Sequence, residues 1–304
     1  MSSSPAHHNL FSYDDDAGLV DQVAPFLAAG LAEHEAVVIV VDSRKRAVLT
    51  EALGALAGRI DYIDRDGYYT RPEDALAGYD ARVRRYVQQG APRVRVFGEL
   101  PLCRTQAESD TWILYEALLN PAFAEHPVTI VCGLDPREQP DSVLEGSWQT
   151  HPRSLNGGWC DNDHYHSPEA VVRARTPAPA DAPGLTSVAA DLDARALRVR
   201  LLAEMTAAEV PDDDARKLLS AVGEVLANAH RHGAGARSLR VGRVGERFVC
   251  EVADHGAGLD DPLAGYLPPH PGNGRGAGLW VARQMTTRLD MISTSRGLTT
   301  RLWV

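Results

Sequence analysis

The 304-residue sequence has few of the features that mark secreted, membrane-bound or nucleic-acid-binding proteins. Its four cysteines are scattered and form no CxxC pair, so neither a zinc ribbon nor a disulfide framework is indicated. No apolar run approaches the ~20 residues that cross a bilayer, and no basic stretch precedes an apolar one at the N-terminus, as in a signal peptide. The net charge of −10 disfavours a broad nucleic-acid or anionic-membrane surface. We therefore expect a cytoplasmic protein that binds neither nucleic acid nor membrane.

The chain is predicted to fold as two domains, because single domains usually have about 100–200 residues. The clearest boundary is ARTPAPADAPG, residues 174–184, where alternating proline and alanine favour a stiff, extended connector that packs on nothing. We place a first domain at 1–173, the connector at 174–186 and a second domain at 187–304.

The first domain alternates apolar strands with amphipathic helices, which predicts an α/β fold with a parallel sheet covered on both faces. In such sheets, ligands bind beyond the carboxyl ends of the strands. The predicted strands are 36–41, 60–63, 93–97 and 128–132, and the predicted helices are 19–31, 46–53, 72–89 and 109–119.

The second domain is predicted to be an α+β sandwich of helices on an antiparallel sheet. The predicted helices are 192–205, 212–232 and 278–289, and the predicted strands are 238–243, 247–254, 291–295 and 299–304.

A polar stripe lies on the long helix predicted for the second domain. Glu224, Asn228 and His232 are four residues apart and therefore share one helix face. A carboxylate there can accept a proton, and an amide oxygen can bind a hard cation such as Mg²⁺. The alternative is an ordinary solvated face.

A tight turn is predicted after the strand that ends at Asp254, because Gly256 and Gly258 follow at alternate positions. Glycines permit close approach of the backbone to a ligand, and the carboxylate can accept a hydrogen bond from an exocyclic amine such as that of adenine. A turn without a ligand remains the alternative.

A glycine-rich segment, 272–278, precedes the next helix. Its free backbone N–H groups and the helix N-terminus favour an anion, and an arginine within it can pair with a phosphate. The alternative is a flexible loop. The candidate residues are Gly274, Arg275, Gly276, Gly278 and Leu279.

The order of these three segments resembles the N, G1 and G2 boxes of the histidine-kinase-like (GHKL, Bergerat-fold) ATPases, which include Hsp90, MutL and gyrase. The resemblance implies that ATP and Mg²⁺ bind here, with Glu224 as general base, Asn228 as the Mg²⁺ ligand and Asp254 reading adenine. The family usually has Gly-Thr before its last strand. This chain has Gly297-Leu-Thr-Thr instead, so Thr299 is the candidate if the register shifts by one residue.

Within this family, the compact domain resembles the anti-sigma-factor serine kinases. No histidine lies between the connector and Glu224, and no room remains there for a phosphoacceptor hairpin, which disfavours a sensor histidine kinase. The resemblance implies a protein partner, an anti-sigma-factor antagonist or a sigma factor, and a homodimer.

The first domain resembles the MEDS sensory domain in several segments, which are HNLFSY (8–13), the helix end at 26–30, VRVFGE (94–99), WILYE (112–116), VCGLD (131–135) and HP (151–152). The resemblance implies a RecA/KaiC-like fold and binding of a small hydrocarbon-derived compound. The loop after strand 36–41 lacks GxxxxGK[ST], so no ATP hydrolysis is expected in this half. Candidate ligand residues are Glu99, Trp112, Tyr115, Glu116, Cys132 and His151; the alternative is that they only pack.

Two other groups have the residue types of metal ligands. Cys160, His164 and His166 match no standard zinc spacing, so surface loop residues are the favoured interpretation. The pair His7-His8 is expected to lie at an exposed terminus.

These observations predict a small-molecule sensor that controls an ATP–Mg²⁺-dependent serine/threonine kinase acting on a partner protein. Two rivals remain open. In one, the ATPase domain is a non-catalytic module that binds nucleotide only to sequester its partner; in the other, the chain is a ligand-sensing scaffold with an inactive ATPase domain.

Overall fold

The computed structural model describes residues 7–155, 158–188, 193–269 and 277–304. The chain divides into two compact units, Met1–Thr176 and Pro177–Val304. Among the described residues, every helix is too short or too polar to cross a membrane.

The first unit is a seven-stranded sheet with helices between its strands. Its elements are β1 (His7–Ser12), α1 (Asp16–Ala32), β2 (Ala36–Val41), α2 (Ser43–Leu53), a 3₁₀ helix (Gly54–Arg59), β3 (Asp61–Asp64), α3 (Arg65–Tyr68), α4 (Pro72–Gln88), β4 (Val94–Glu99), α5 (Gln106–Phe123), β5 (Val128–Leu134), α6 (Asp141–Thr150), β6 (Arg153–Leu155), β7 (Trp159–Asp161) and α7 (Pro168–Arg175). The strand order is β3-β2-β4-β5-β1-β6-β7. All neighbours are parallel except β6 and β7. The predicted α/β architecture with a mostly parallel sheet is confirmed.

Local sequence explains most of these elements. Five of the six residues of β2 are buried, as expected for a strand covered on both faces. The Asp15 side chain caps α1 by accepting from Gly18 N, and Thr105 and Glu108 form a capping box at α5. Pro72 begins α4, where its missing N–H costs nothing.

Strand β1 was not predicted, although it lies between β5 and β6 inside the sheet. Its sequence, HHNLFS, begins with three polar residues and has no apolar run. Hydrogen bonding to two parallel neighbours holds it in place, and such long-range pairing leaves no local signal. His8 is consequently buried at 5% exposure, so the expectation of an exposed terminus at this residue is wrong.

Within its described residues, the second unit is a five-stranded sheet with three helices. Its elements are β8 (Thr186–Val188), α8 (Ala194–Ala207), α9 (Asp212–His232), β9 (Ala236–Val244), β10 (Arg247–Asp254), α10 (Gly278–Gln284), β11 (Arg288–Thr294) and β12 (Gly297–Trp303). The strand order is β11-β12-β10-β9-β8, with antiparallel pairing throughout. The predicted combination of helices with an antiparallel sheet is confirmed.

Helix α8 is an integral part of the second unit. Leu197, Leu201 and Met205 are buried in the same apolar core as Leu218 and Val222 of α9. Their spacing places them on one face of α8, as expected for an amphipathic helix packed on a core.

Helix α10 ends five residues before the predicted end at Leu289. The chain turns after Met285, and the backbone N–H of Thr287 donates to the carbonyl of Trp303 at 2.9 Å. Leu289 then pairs with Leu302 in the sheet. Pairing with the last strand therefore overrides the helical pattern of the sequence.

The proline- and alanine-rich segment is not an uncollapsed connector, contrary to expectation. Ala180 N donates to Asp290 at 3.3 Å, and the carbonyl of Ala178 accepts from Arg288 at 2.8 Å. Ala180 and Ala182 also pack against a small buried cluster that contains Trp303. The predicted connector range further includes the last two residues of α7 and the first of β8.

Candidate functional site

A cavity of about 280 Å³ opens in the second unit beside α9 and the ends of β10 and β12. Its wall is mainly apolar, with Val225 and Ala229 from α9, Val252 from β10 and Leu298 from β12. A few polar side chains interrupt that wall, a combination typical of small-molecule sites. Those polar side chains include Asn228, His232, Asp254 and Thr300.

Asp254 ends β10 and places its carboxylate at the cavity. Its Oδ1 atom accepts from the backbone N–H groups of Gly256 and Leu298, both at 2.9 Å. Among the described residues, we find no hydrogen bond to the other oxygen, Oδ2. A Cβ on Gly233 would lie 2.5 Å from Oδ2. The turn therefore fixes the carboxylate through one oxygen and leaves the second as an acceptor.

The polar stripe of α9 meets the N-terminus of α10. A Cβ placed on Gly278 would lie 2.7 Å from Asn228 Nδ2 and 3.1 Å from Glu224 Oε2. Only glycine permits this approach, which puts the Glu224 carboxylate and the Asn228 amide at the helix start. Asn228 Oδ1 accepts from Arg231 at 3.1 Å.

Most of the predicted nucleotide residues gather at this cavity. Asn228, His232, Asp254, Gly256, Gly258 and Leu279 line it, and Glu224 and Gly278 lie against Asn228. Gly274, Arg275 and Gly276 lie outside the described residues.

Thr300, not Thr299, lines the cavity. Side chains alternate along a strand, so Leu298 and Thr300 share the cavity face of β12 while Thr299 points to the other face. Thr299 pairs with Ala253 on one side and with Ile292 on the other. The structure therefore corrects the candidate by one residue.

A second polar cluster is buried in the first unit. Four side chains from β1, α5, β5 and the end of α6 converge there, with their potential ligand atoms all within 4.8 Å of one another. They are His8, Glu116, Cys132 and His151. All four are at most 8% exposed.

Burial shifts the pKa values of His8 and Cys132 in this cluster. It lowers the pKa of His8 to about 4, helped by the neighbouring His151 and opposed by Glu116. Burial disfavours the Glu116 anion, but the adjacent His151 and His8 side chains outweigh that effect and hold the pKa of its carboxyl well below the usual range. Burial also raises the pKa of the Cys132 thiol well above its ordinary value.

The other predicted sensory residues lie in two different surroundings. Glu99 pairs with the fully buried ammonium of Lys45 at 2.7 Å. Trp112 and Tyr115 belong to an aromatic group with Tyr69, with ring centroids 5.2–5.8 Å apart. The buried hydroxyl of Tyr115 has no hydrogen-bond partner among the described residues.

Lys45 also contacts Glu138 Oε2 at 2.9 Å and Asp135 Oδ2 at 3.5 Å. Together with the buried guanidinium of Arg65, which lies 3.4 Å from Asp42 and 3.7 Å from Glu99, Lys45 provides the positive charge for an acidic group formed by Asp42, Glu99 and Glu138. No local pattern in the sequence predicts this role, because a single lysine beside Arg44 and Arg46 has the pattern of a solvated surface turn.

His8 belongs to the buried cluster, although the sequence predicted no site role for it. Its only local signal was its place in the HNLFSY segment. Cys160 and His164 are exposed, and within the described residues neither they nor His166 belong to a group of converging metal-ligand side chains.

Each of the two units matches the model of a known protein family. Residues 7–152 match the family model of MEDS, the MEthanogen/methylotroph, DcmR Sensory domain. Residues 187–304 match that of the histidine kinase-like ATPase domain. No curated protein matches the chain. The chain therefore combines a MEDS domain with a histidine kinase-like ATPase domain, the composition of a signalling regulator with a kinase-like part, and the ATPase family implies that ATP binds in the second domain.

Proposed function

We propose that the chain is a signalling regulator whose MEDS domain controls an ATP–Mg²⁺-dependent serine/threonine kinase of the anti-sigma-factor type. The observation that carries this proposal is the meeting of Glu224 and Asn228 with the N-terminus of α10, beside the cavity that holds the Asp254 carboxylate.

The residues present fit an adenine nucleotide. Asp254 Oδ2 is an acceptor suited to the exocyclic amine of adenine, and the Thr300 hydroxyl adds a polar group on the opposite strand. Val225, Ala229 and Leu298 supply an apolar wall for a flat ring. The close backbone approach at Gly233 keeps side chains away from the carboxylate. Because the Asp254 carboxylate can only accept hydrogen bonds, the cavity favours a ligand that donates one, such as adenine, over a ligand that can only accept.

Asn228 Oδ1 would hold Mg²⁺, a hard cation that prefers oxygen ligands. Arg231 donates to that oxygen and would have to release it first. Bound ATP supplies the phosphoryl group. The Glu224 carboxylate would accept the proton of the partner's serine hydroxyl, whose oxygen forms the new bond to phosphorus while the bond to the departing ADP oxygen breaks.

A partner hydroxyl is a better acceptor candidate than a histidine of this chain. Helix α8 contributes its buried face to the ATPase core and contains no histidine. The chain has no histidine between residues 174 and 229. These facts favour a serine kinase over a sensor histidine kinase.

The proposal extends to partners and location. The partner would be an anti-sigma-factor antagonist, with a sigma factor as the sequestered protein and a homodimer as the assembly. The first domain, which we propose to be RecA/KaiC-like, would bind a small molecule near Trp112 and Tyr115, where the unpartnered Tyr115 hydroxyl supports a polar ligand. Four unpaired cysteines support a cytoplasmic location.

Transfer from labelled ATP to purified antagonist proteins tests the kinase. We expect label on a partner serine, and Glu224→Gln should lower the transfer rate about 10²–10⁴-fold while nucleotide still binds. Glu246→Gln, an exposed carboxylate in the β9–β10 hairpin, is the matched control and should leave the rate unchanged.

The rival is a nucleotide-gated binding module that sequesters its partner without catalysis. It predicts no label on any partner and nucleotide-dependent partner binding that survives Glu224→Gln. Label on a histidine of this chain would instead contradict the serine-kinase assignment.

A further inference from the structure

The buried cluster of His8, Glu116, Cys132 and His151 has the donor types of a transition-metal site, namely two imidazole nitrogens, a carboxylate oxygen and a sulfur. The four residues come from different elements of the fold. Neither of the functions proposed above uses them together.

The distances within the cluster match a tetrahedral site. Ligand bonds of 2.0–2.3 Å to zinc place neighbouring ligand atoms about 3.3 Å apart. His8 Nε2 is 3.0 Å from Glu116 Oε2 and 3.3 Å from Cys132 Sγ. Glu116 Oε2 is 3.3 Å from Cys132 Sγ and 3.2 Å from His151 Nε2. Four of the six edges of the tetrahedron thus have the length that coordination requires.

The hydrogen bonds of His151 direct a lone pair into the cluster. Its Nδ1 lies 2.7 Å from the carbonyl oxygen of Ser147, which can only accept, so Nδ1 carries the proton. In the neutral imidazole, Nε2 is then an unprotonated acceptor. This buried nitrogen makes no hydrogen bond among the described residues, although Glu116 is near.

His8 is oriented in the same way. Its Nδ1 lies 3.2 Å from Asn120 Oδ1. The amide nitrogen of Asn120 donates to the carbonyl of Thr150 at 2.8 Å, which fixes the amide oxygen toward His8. Nδ1 therefore donates and Nε2 faces the cluster as a lone pair. Metal-bound histidines usually have such an outer hydrogen bond, which sets the tautomer and aims the ligand nitrogen.

The charges of the four side chains match a divalent cation. Two neutral imidazoles, a carboxylate and a thiolate carry two negative charges, which one divalent ion neutralises. The unpaired lone pair of His151 Nε2, which faces the Glu116 carboxylate, is also unfavourable in a buried site.

We propose that His8, Glu116, Cys132 and His151 bind one divalent transition-metal ion, zinc being the best match for this mixed nitrogen, sulfur and oxygen set. The four ligands close the coordination shell and all are buried, as in sites that hold a fold together rather than activate water. Because β1, α5, β5 and the residue that follows α6 each provide one ligand, the ion would tie the first strand to the centre of the domain.

Metal analysis of the full-length protein tests the proposal. After incubation with Zn²⁺ and desalting, we expect about one equivalent per chain. With Co²⁺ in place of zinc, a thiolate-to-cobalt charge-transfer band should appear. Cys132→Ser should abolish that band, and His151→Gln should lower bound zinc at least about tenfold.

Cys160→Ser and His166→Gln are matched controls, since Cys160 and His166 are exposed, and both variants should bind like the unmodified protein. The Co²⁺ spectrum of the unmodified protein is decisive even if a cluster variant fails to fold. A folded unmodified protein that retains no zinc, a cobalt complex without the thiolate band, or unchanged binding in both Cys132→Ser and His151→Gln would overturn the proposal. None of these results depends on ATP binding, so they are separable from the kinase assignment.

Discussion

The two domains place the polar side chains of their candidate sites in opposite ways. In the MEDS domain, Lys45, Glu99 and Glu116 are at most 4% exposed and bond to one another or to buried neighbours. In the ATPase domain, Glu224, Asn228 and Asp254 are half-buried at a cavity edge. Buried charges need partners inside the protein, whereas charges at a cavity edge can exchange water for a ligand. The first arrangement should therefore govern stability and the second should govern binding.

Removal of the buried ammonium of Lys45 is the strongest test of this difference. Lys45→Met removes the cation nearest to Glu99 and leaves that buried carboxylate with Arg65 at 3.7 Å, and we expect the free energy of unfolding of the first domain to fall by about 3 kcal/mol. Denaturant unfolding measures the effect. Arg44→Met is the control, because the side chains of its ion pair with Asp16 are 49% and 42% exposed and contribute less than about 1 kcal/mol. Equal losses of unfolding free energy in Lys45→Met and Arg44→Met would contradict the view that the buried charges govern stability.

Replacement of the free carboxylate oxygen of Asp254 by an amide nitrogen should weaken ATP binding with little effect on the fold. Asp254→Asn keeps an oxygen for the N–H groups of Gly256 and Leu298 but puts an amide nitrogen in place of Oδ2. We expect ATP affinity to fall about 10–100-fold, as for loss of a hydrogen bond to a charged group. Calorimetry with ATP and Mg²⁺ measures the loss.

Asp260→Asn, an exposed neighbour, should bind ATP as the unmodified protein does. If Asp254→Asn bound ATP with undiminished affinity, the Asp254 carboxylate would not be the group that recognises adenine.

The smallest expected effect distinguishes two adjacent threonines. Thr300→Val removes a hydroxyl from the cavity wall and should weaken ATP binding by about 1 kcal/mol, or roughly fivefold. Thr299→Val, on the opposite face of β12, should leave affinity unchanged. The same titration measures both, and a larger effect from Thr299 would show that the strand register differs when nucleotide is bound.

The sequence by itself determined the features that depend on local periodicity. The stripe of Glu224, Asn228 and His232 follows from 3.6 residues per helical turn, and helix Asp212–His232 has the predicted bounds. The turn after Asp254 follows from its glycines, and strand Ala36–Val41 from its continuous apolar run. Such patterns need no knowledge of distant residues.

Tertiary structure alone decided the features that depend on pairing between distant segments. His8 lies 108 residues before Glu116 and joins it only because β1 enters the sheet beside β5. The choice of Thr300 over Thr299 depends on the register of β12 against β10, and the end of α10 depends on pairing with the last strand. A one-residue shift in register moves a side chain to the other face of a sheet, and the sequence around each residue carries no signal for that shift.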